Sequence, residues 1–208
     1  MKLPPLELRG QWVTAQAGQT ADAIARQAGV PVEDVLELND LSDADAPLPA
    51  GTRVFVPEVA ARAPAAPPDG QRFAWPLDSG TGTVSSGFGV REGRPHEGID
   101  IAAPAGASIR AVEDGEVAYA GNGLRGYGNV VLVRHGEGFL TVYAHNAENL
   151  VQTGQRVARG QIIGRVGQSG HASGPHLHFE VRYGDAPRNP LRYLREESHI
   201  DAERSESR

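Results

Sequence analysis

The chain has 208 residues, 39% of them hydrophobic, and a formal charge of −6, so it can bury a core and is not a disordered polymer. Its 26 glycines and 15 prolines exclude a helical bundle and favour a turn-rich, mainly β protein. The acidic balance argues against nucleic acid as a partner, and the absence of cysteine leaves histidine and carboxylate as metal ligands. No apolar run approaches the ~18 residues of a membrane span.

The first residues carry no signal for secretion. Residues 1–7 lack the apolar stretch of a secretory signal. Two interpretations follow: the protein stays in the cytoplasm, or a signal has been removed. A chain without cysteine tolerates an extracytoplasmic compartment as well as a reducing one.

Residues 8–57 predict a small α+β domain in the order strand, helix, helix, strand. Thr20 is a good cap for the first helix, and Gly29 supplies a left-handed stop. A segment of this size without disulfides favours a binding module over an enzyme. The predicted elements are a strand at 11–14, helices over 21–28 and from 31 or 32 to 38, and a strand at 53–57.

This segment resembles a LysM domain. The resemblance rests on Trp12-Val13, on Ala17-Gly18-Gln19-Thr20, on Leu38-Asn39 and on Leu48-Pro49-Ala50-Gly51 before the last strand. The usual Asp-Thr-Leu start of the first helix is replaced by Gln19-Thr20-Ala21. Resemblance to LysM implies binding to N-acetylglucosamine-containing glycans such as peptidoglycan, and the alternative is a generic small α/β domain.

The rest of the chain predicts a linker, a second domain and a tail. Residues 58–72 are rich in Ala and Pro and predict a semi-extended linker, whereas residues 195–208 predict a polar tail. Between them, residues 73–194 alternate short apolar runs with glycine turns, which is typical of antiparallel β-sheet. The predicted strands are 108–112, 115–120, 129–134, 139–145, 161–166 and 176–183.

The last of these strands carries two histidines on one face. Because side chains alternate along a strand, His176, His178, Glu180 and Arg182 share one face, opposite Leu177 and its apolar neighbours. A metal could take one histidine and leave the other beside a substrate. For either histidine taken alone, the alternative to a role in metal binding is a histidine that is hydrogen-bonded within the fold or exposed on the surface.

Two further segments supply histidines. His96 and Asp100 lie four residues apart where a loop runs into a strand, and with His178 they provide two imidazoles and one carboxylate. Such a set leaves a fourth position free for water, as in a catalytic zinc site. His145 ends a predicted strand in which Phe139, Thr141, Tyr143 and His145 would share one face. Tyr143 and Glu180 are then candidates to support the site, with exposed polar residues as the alternative.

Residues 76–192 together resemble the lysostaphin-like (LytM-type) zinc metallopeptidases of bacterial cell walls. The resemblance implies a mainly β fold on antiparallel sheets, the duplicated hybrid motif, with His96, Asp100 and His178 as zinc ligands and His145 and His176 as the catalytic histidines. One of the last two would accept a proton from water and the other would stabilise the oxyanion. The motifs, in family order, are Gly87-Phe88-Gly89, His96-Glu97-Gly98-Ile99-Asp100, Tyr127-Gly128-Asn129, Tyr143-Ala144-His145 and Gly174-Pro175-His176-Leu177-His178-Phe179-Glu180.

The two resemblances imply a zinc-dependent peptidoglycan endopeptidase, located in the periplasm, at the cell envelope or outside the cell. The cofactor would be Zn²⁺, and the partners would be wall glycan for the LysM domain and wall peptide for the zinc domain. The alternative is a non-enzymatic activator of cell-wall amidases. Such activators have typically lost metal ligands, whereas none is lost here. A glycan-binding scaffold is a third interpretation.

Overall fold

The computed structural model describes residues 8–58, 72–91, 93–184 and 186–195. Most of the predicted linker 58–72 and nearly all of the predicted tail 195–208 lie outside the described residues, as do residues 1–7. Within the described ranges, no helix is both long and apolar enough to cross a membrane.

The N-terminal region has the predicted strand, helix, helix, strand order. Thr20 Oγ1 accepts a hydrogen bond from the Ala23 N–H at 3.1 Å, and Gly29 adopts the left-handed conformation with φ 72°. Strands β1 and β2 pair antiparallel, and Ile24, Val35 and other apolar side chains form a buried core under them. The elements are β1 (Gly10–Thr14), α1 (Ala21–Ala28), α2 (Val32–Leu38) and β2 (Arg53–Pro57).

The C-terminal region is built from thirteen strands within the described residues and confirms the mainly β, antiparallel prediction. Short 3₁₀ turns occur at Gly136–Gly138 and Pro190–Arg192. The strands are β3 (Thr83–Ser86), β4 (Gly89–Arg91), β5 (Arg94–His96), β6 (Ile99–Ala102), β7 (Ser108–Arg110), β8 (Gly115–Gly121), β9 (Asn129–Arg134), β10 (Phe139–Asn146), β11 (Glu148–Asn149), β12 (Arg156–Val157), β13 (Ile162–Arg165), β14 (His176–Tyr183) and β15 (Ala186–Arg188).

Eight of these strands form the main sheet, in the order β12-β8-β9-β10-β14-β6-β3, with β15 paired to β14. Strand β14 therefore lies inside the sheet, and both of its faces are covered. Leu177, Phe179 and Val181 point into the larger apolar core. On the opposite face, His178 and Glu180 lie on the side of a smaller apolar cluster contributed by β9 and β10. The predicted polar face of β14 is thus buried.

Strand β10 contains a bulge that corrects the predicted alternation. Its register with β9 shifts between Tyr143 and Asn146, and His145 has φ 63°. Tyr143 is fully buried in the larger core, where its hydroxyl accepts a hydrogen bond from the Val112 N–H at 3.1 Å. The prediction that Tyr143 shares a face with His145 and supports the site is therefore wrong, because the bulge turns His145 away from that face.

The two regions contact each other through α2 and the end of the chain. Arg188 forms an ion pair with Asp34, and the Asn189 N–H donates to Glu37 Oε1 at 2.7 Å. Arg192 Nη1 lies 3.8 Å from Glu37 Oε1. These contacts fix helix α2 against β15 and the turn after it.

Candidate metal centre

The pairing of β6 with β14, together with the position of β5 just before β6 in the chain, brings three predicted ligands together. Asp100 in β6 is the direct ladder partner of His178 in β14, and ladder partners share a face of the sheet. His96 ends β5, and two residues separate it from the first residue of β6. The loop between those strands carries the His96 ring back over the face on which Asp100 and His178 lie.

The three side chains form a group of the size that one metal ion needs. The His96 Nε2 atom lies 3.3 Å from Asp100 Oδ1 and 3.3 Å from His178 Nδ1, and His178 Nδ1 lies 2.8 Å from Asp100 Oδ1. A tetrahedral zinc ion with bonds of 2.0–2.1 Å separates its ligand atoms by about 3.3 Å. The donor set of two imidazoles and one carboxylate therefore fits zinc with small adjustments.

Both ligand histidines are held through their other ring nitrogen. His96 Nδ1 donates to the Gly87 carbonyl at 2.6 Å, and His178 Nε2 donates to Glu180 Oε1 at 3.1 Å. The tautomers implied by these bonds leave His96 Nε2 and His178 Nδ1 as the metal-facing atoms. Glu180 Oε1 also accepts the Tyr127 hydroxyl at 2.7 Å. The support expected from Glu180 is thus present as a direct contact with a ligand.

The electrostatics of the group favour positive charge between the ligands. Burial by itself would lower the pKa of His178, but its hydrogen bonds to Asp100 and Glu180 raise that pKa to about 9. Burial would likewise raise the pKa of Asp100, yet hydrogen bonds from His178 and His96 hold it well below its usual range. A proton on the His178 ring is therefore stabilised among these groups.

The two remaining predicted site histidines lie next to the group. The His145 and His176 ring centres are 4.8 Å apart, and His176 Nε2 lies 3.7 Å from Asp100 Oδ1. His145 Nδ1 donates to the Ser169 carbonyl at 2.8 Å, and His176 Nδ1 donates to the Gly174 carbonyl at 2.9 Å. Each ring consequently presents Nε2 as a hydrogen-bond acceptor. Burial lowers the pKa of His145 to about 4, and the nearby histidines add to this effect, so the ring is neutral at pH 7.

All five predicted residues line one groove of about 560 Å³. His171 also lies on the wall of this groove and is exposed. His135 is buried elsewhere and hydrogen-bonded to Asp114 and Thr141, whereas His199 lies outside the described residues. The groove is lined by Pro95, His96, Glu97, Asp100, Gly126, Tyr127, His145, His171, Ser173, His176, His178 and Glu180.

Sequence reasoning missed two groups that hold the site. Tyr127 appeared only as part of a motif, yet its hydroxyl contacts the carboxylate behind His178, and burial together with Glu180 raises its pKa so that it stays protonated. The Ser169 carbonyl positions His145, and a backbone oxygen leaves no signal in a sequence. The alternation along β14 indicated His176, His178 and Glu180, whereas His96, Asp100 and His145 came from two other motifs and from the family resemblance.

The chain is similar to known proteins in both regions. A LysM domain model matches residues 13–57, and a model of Peptidase family M23 matches residues 94–190. "Murein hydrolase activator NlpD" of Salmonella typhimurium is 43% identical over 155 residues, which cover 70% of this chain and 40% of that protein. The chain therefore spans well under half the length of that relative.

Two other proteins are similar over most of the chain. "Uncharacterized lipoprotein YgeR" of Escherichia coli is 35% identical over 209 residues, which cover 89% of this chain and 81% of that protein. The crystal structure of a zinc-containing peptidase from Vibrio cholerae is 25% identical with a TM-score of 0.55, covering 89% of this chain and 71% of that one. With a LysM domain ahead of the matched peptidase-family region, the chain belongs to Peptidase family M23.

Proposed function

We propose that the chain is a zinc-dependent hydrolase of amide bonds in peptidoglycan, carried to the cell wall by its LysM domain. One observation supports this most: the three predicted zinc ligands and two further histidines converge on one groove, with their hydrogen-bonding atoms fixed. Every position that the family resemblance implies is occupied by the required residue.

The side chains divide the work of such a hydrolysis. His96, Asp100 and His178 would hold zinc, which supplies Lewis acidity towards a carbonyl and acidifies a water molecule. His145 and His176, with Nδ1 bound to backbone carbonyls, each offer Nε2 to the groove. One would accept the proton of the attacking water and pass it to the amide nitrogen as the C–N bond breaks, and the other, in its protonated form, would donate to the oxygen of the tetrahedral carbon.

The LysM domain would raise the concentration of the zinc domain at its polymer. A module that binds wall glycan does this without adding a contact inside the groove. The words "murein" and "lipoprotein" in the names of two relatives support a location in the cell envelope. Peptidoglycan is then the partner of both regions.

A second candidate function is favoured by the relatives. A relative that is similar over 70% of this chain is named as a murein hydrolase activator, which supports a role in which this chain stimulates a wall amidase without cutting the wall itself. The named relatives favour this candidate, whereas the complete set of site residues favours the hydrolase.

Digestion of purified peptidoglycan separates the two candidates. The chain is incubated with and without a chelator, and released fragments are identified by mass spectrometry. A hydrolase releases peptide fragments, and both His178→Ala and the chelator reduce release to background, whereas His199→Ala, a change in the tail, leaves it intact. If instead the chain alone releases nothing and His178→Ala still stimulates an added wall amidase, the activator candidate stands and the hydrolase candidate is lost.

A further inference from the structure

A buried arginine lies behind the metal centre. Arg182 is 1% exposed, and its Nη1 atom donates to Glu180 Oε2 and to Glu97 Oε2, both at 2.8 Å. Glu180 is fully buried, and the other oxygen of Glu97 accepts the Leu8 N–H at 2.5 Å. One guanidinium nitrogen therefore bridges two carboxylates whose remaining oxygens are also engaged.

The two carboxylates belong to the two chain segments that carry the ligands. Glu97 directly follows the ligand His96 and precedes Asp100 in the same loop and strand, whereas Glu180 is two residues beyond the ligand His178. Through its other oxygen, Glu180 binds the His178 ring itself. The bridge thus joins the segment that supplies two ligands to the strand that supplies the third.

The loop at Glu97 packs directly on β14. A Cβ atom added to Gly98 would lie 2.4 Å from the Phe179 carbonyl oxygen and 2.9 Å from Glu180 Cγ. Contact this close means that a small displacement of the loop changes the distance between the ligands on its two sides. The contact of Arg182 with Glu97 and Glu180 lies where this loop packs on β14, and it can therefore influence the distance between the ligands.

Charge supports the same role. Arg182 brings one positive charge into contact with the carboxyl groups of Glu97 and Glu180. Negative charge in a buried region is costly unless a cation lies nearby. Replacing the guanidinium with an uncharged side chain would therefore disturb both carboxyl groups and the two segments that carry them.

We propose that Arg182 is a positioning residue that, by bridging Glu97 and Glu180, holds the two ligand-bearing segments at the separation zinc requires and so sets the affinity for zinc. This rests on the proposed function only for the presence of a zinc site.

Zinc affinity, measured by competition with a chromophoric chelator, tests the bridge. Arg182→Met should weaken zinc binding by about 10- to 100-fold, as removal of groups behind metal ligands generally does. Arg188→Met is the matched control, because Arg188 is also buried and paired with acids but lies away from the site, and it should bind zinc within about twofold of the original.

Rescue and spectroscopy separate positioning from a loss of folding. Because a single nitrogen makes both contacts, Arg182→Lys should recover part of the affinity that Arg182→Met loses. The visible absorption of the cobalt(II) form should change in Arg182→Met and not in Arg188→Met. Should Arg182→Met fail to fold, Glu97→Gln keeps the side-chain volume, removes the charge, and should still weaken zinc binding.

Unchanged zinc affinity in a folded Arg182→Met, or in Glu97→Gln, overturns the proposal. So does a complete absence of zinc binding by the original chain. If the chain binds zinc but releases nothing from peptidoglycan, only the proposed hydrolase function is contradicted. The zinc affinities of the variants still test the proposed role of Arg182.

Discussion

Two buried arginines on neighbouring strands meet acidic partners in different parts of the molecule. Arg182 in β14 is 1% exposed and Arg188 in β15 is 2% exposed. Val181 is the ladder partner of Arg188, so the two arginines point to opposite faces of the sheet. Arg182 meets carboxylates beside the metal ligands, whereas Arg188 meets Asp34 in helix α2 of the LysM domain.

The difference shows that a buried arginine indicates a cluster of charged side chains, but its burial does not reveal what that cluster does. In both places a guanidinium stabilises carboxylates that would otherwise be costly to bury. The partners decide the role: on one face they would position the proposed metal ligands, and on the other they link helix α2 to β15 and the turn after it. Changes that affect one cluster should therefore leave the other intact.

The largest expected effect is at the ligand loop. Gly98→Ala places a methyl group against the Phe179 carbonyl, and overpacking of this kind costs about 2–3 kcal/mol of unfolding free energy. Zinc affinity should fall as well, whereas the Arg188 cluster should persist. Urea denaturation and chelator competition measure the two effects. Gly174→Ala, whose added Cβ meets nothing within 4 Å, is the control, and equal losses in both variants would contradict this account.

A smaller effect is expected at the domain contact. Asp34→Ala removes the nearer of the two carboxylates that pair with Arg188 and leaves Glu37 at 3.9 Å, so the contact should weaken by about 2 kcal/mol, less than for a buried charge that loses every partner. Proteolysis within the linker should become faster, and zinc affinity should not change. Glu33→Ala changes an exposed neighbour on the same helix and serves as control. A fall in zinc affinity with Asp34→Ala would mean that the two clusters are coupled.

The LysM domain offers a test outside both clusters. Thr20→Ala removes the hydrogen bond that caps α1 and should lower the stability of this domain by about 1 kcal/mol. Thr20→Ser keeps the capping oxygen and should lose much less. Thermal unfolding monitored at Trp12, which contacts Phe55, reports on this domain. A loss of zinc affinity in either variant would show that the stability of the LysM domain affects the side chains around Arg182.

The smallest expected effect is a pH dependence at His135. Burial lowers the pKa of this ring below 6.5, partly offset by its hydrogen bond to the Asp114 carbonyl. As pH falls through 6.5, the unfolded chain binds a proton that the folded ring resists, so stability declines. His135→Gln should flatten this part of the profile, measured by urea unfolding between about pH 7.5 and 5.5. An unchanged slope would show that other groups carry the dependence.

Local patterns were sufficient for the LysM elements and for strand β14. The cap at Thr20 and the stop at Gly29 act within a few residues, so the bounds of α1 could be read from the sequence. The alternation of His176, His178 and Glu180 depends only on the geometry of one strand. That pattern placed two site histidines and the carboxylate behind one of them on the correct face.

Long-range features could not be predicted from the sequence. The bulge in β10 depends on pairing with β9, and it moved His145 away from the face of Tyr143. The bridge at Arg182 depends on the packing of a loop 85 residues earlier in the chain. The partner of Arg188 lies 154 residues away, in another domain. Such contacts are set by the tertiary fold and not by residue spacing.

The bulge at His145 has a consequence for the comparison of related chains. A non-glycine residue in the left-handed conformation costs about 1–2 kcal/mol, which the surrounding structure must offset. A relative that kept the histidine but paired its strand regularly would direct the ring into the apolar core. Whether an aligned histidine in a related chain reaches the groove therefore depends on the backbone geometry of β10 as much as on the identity of the residue.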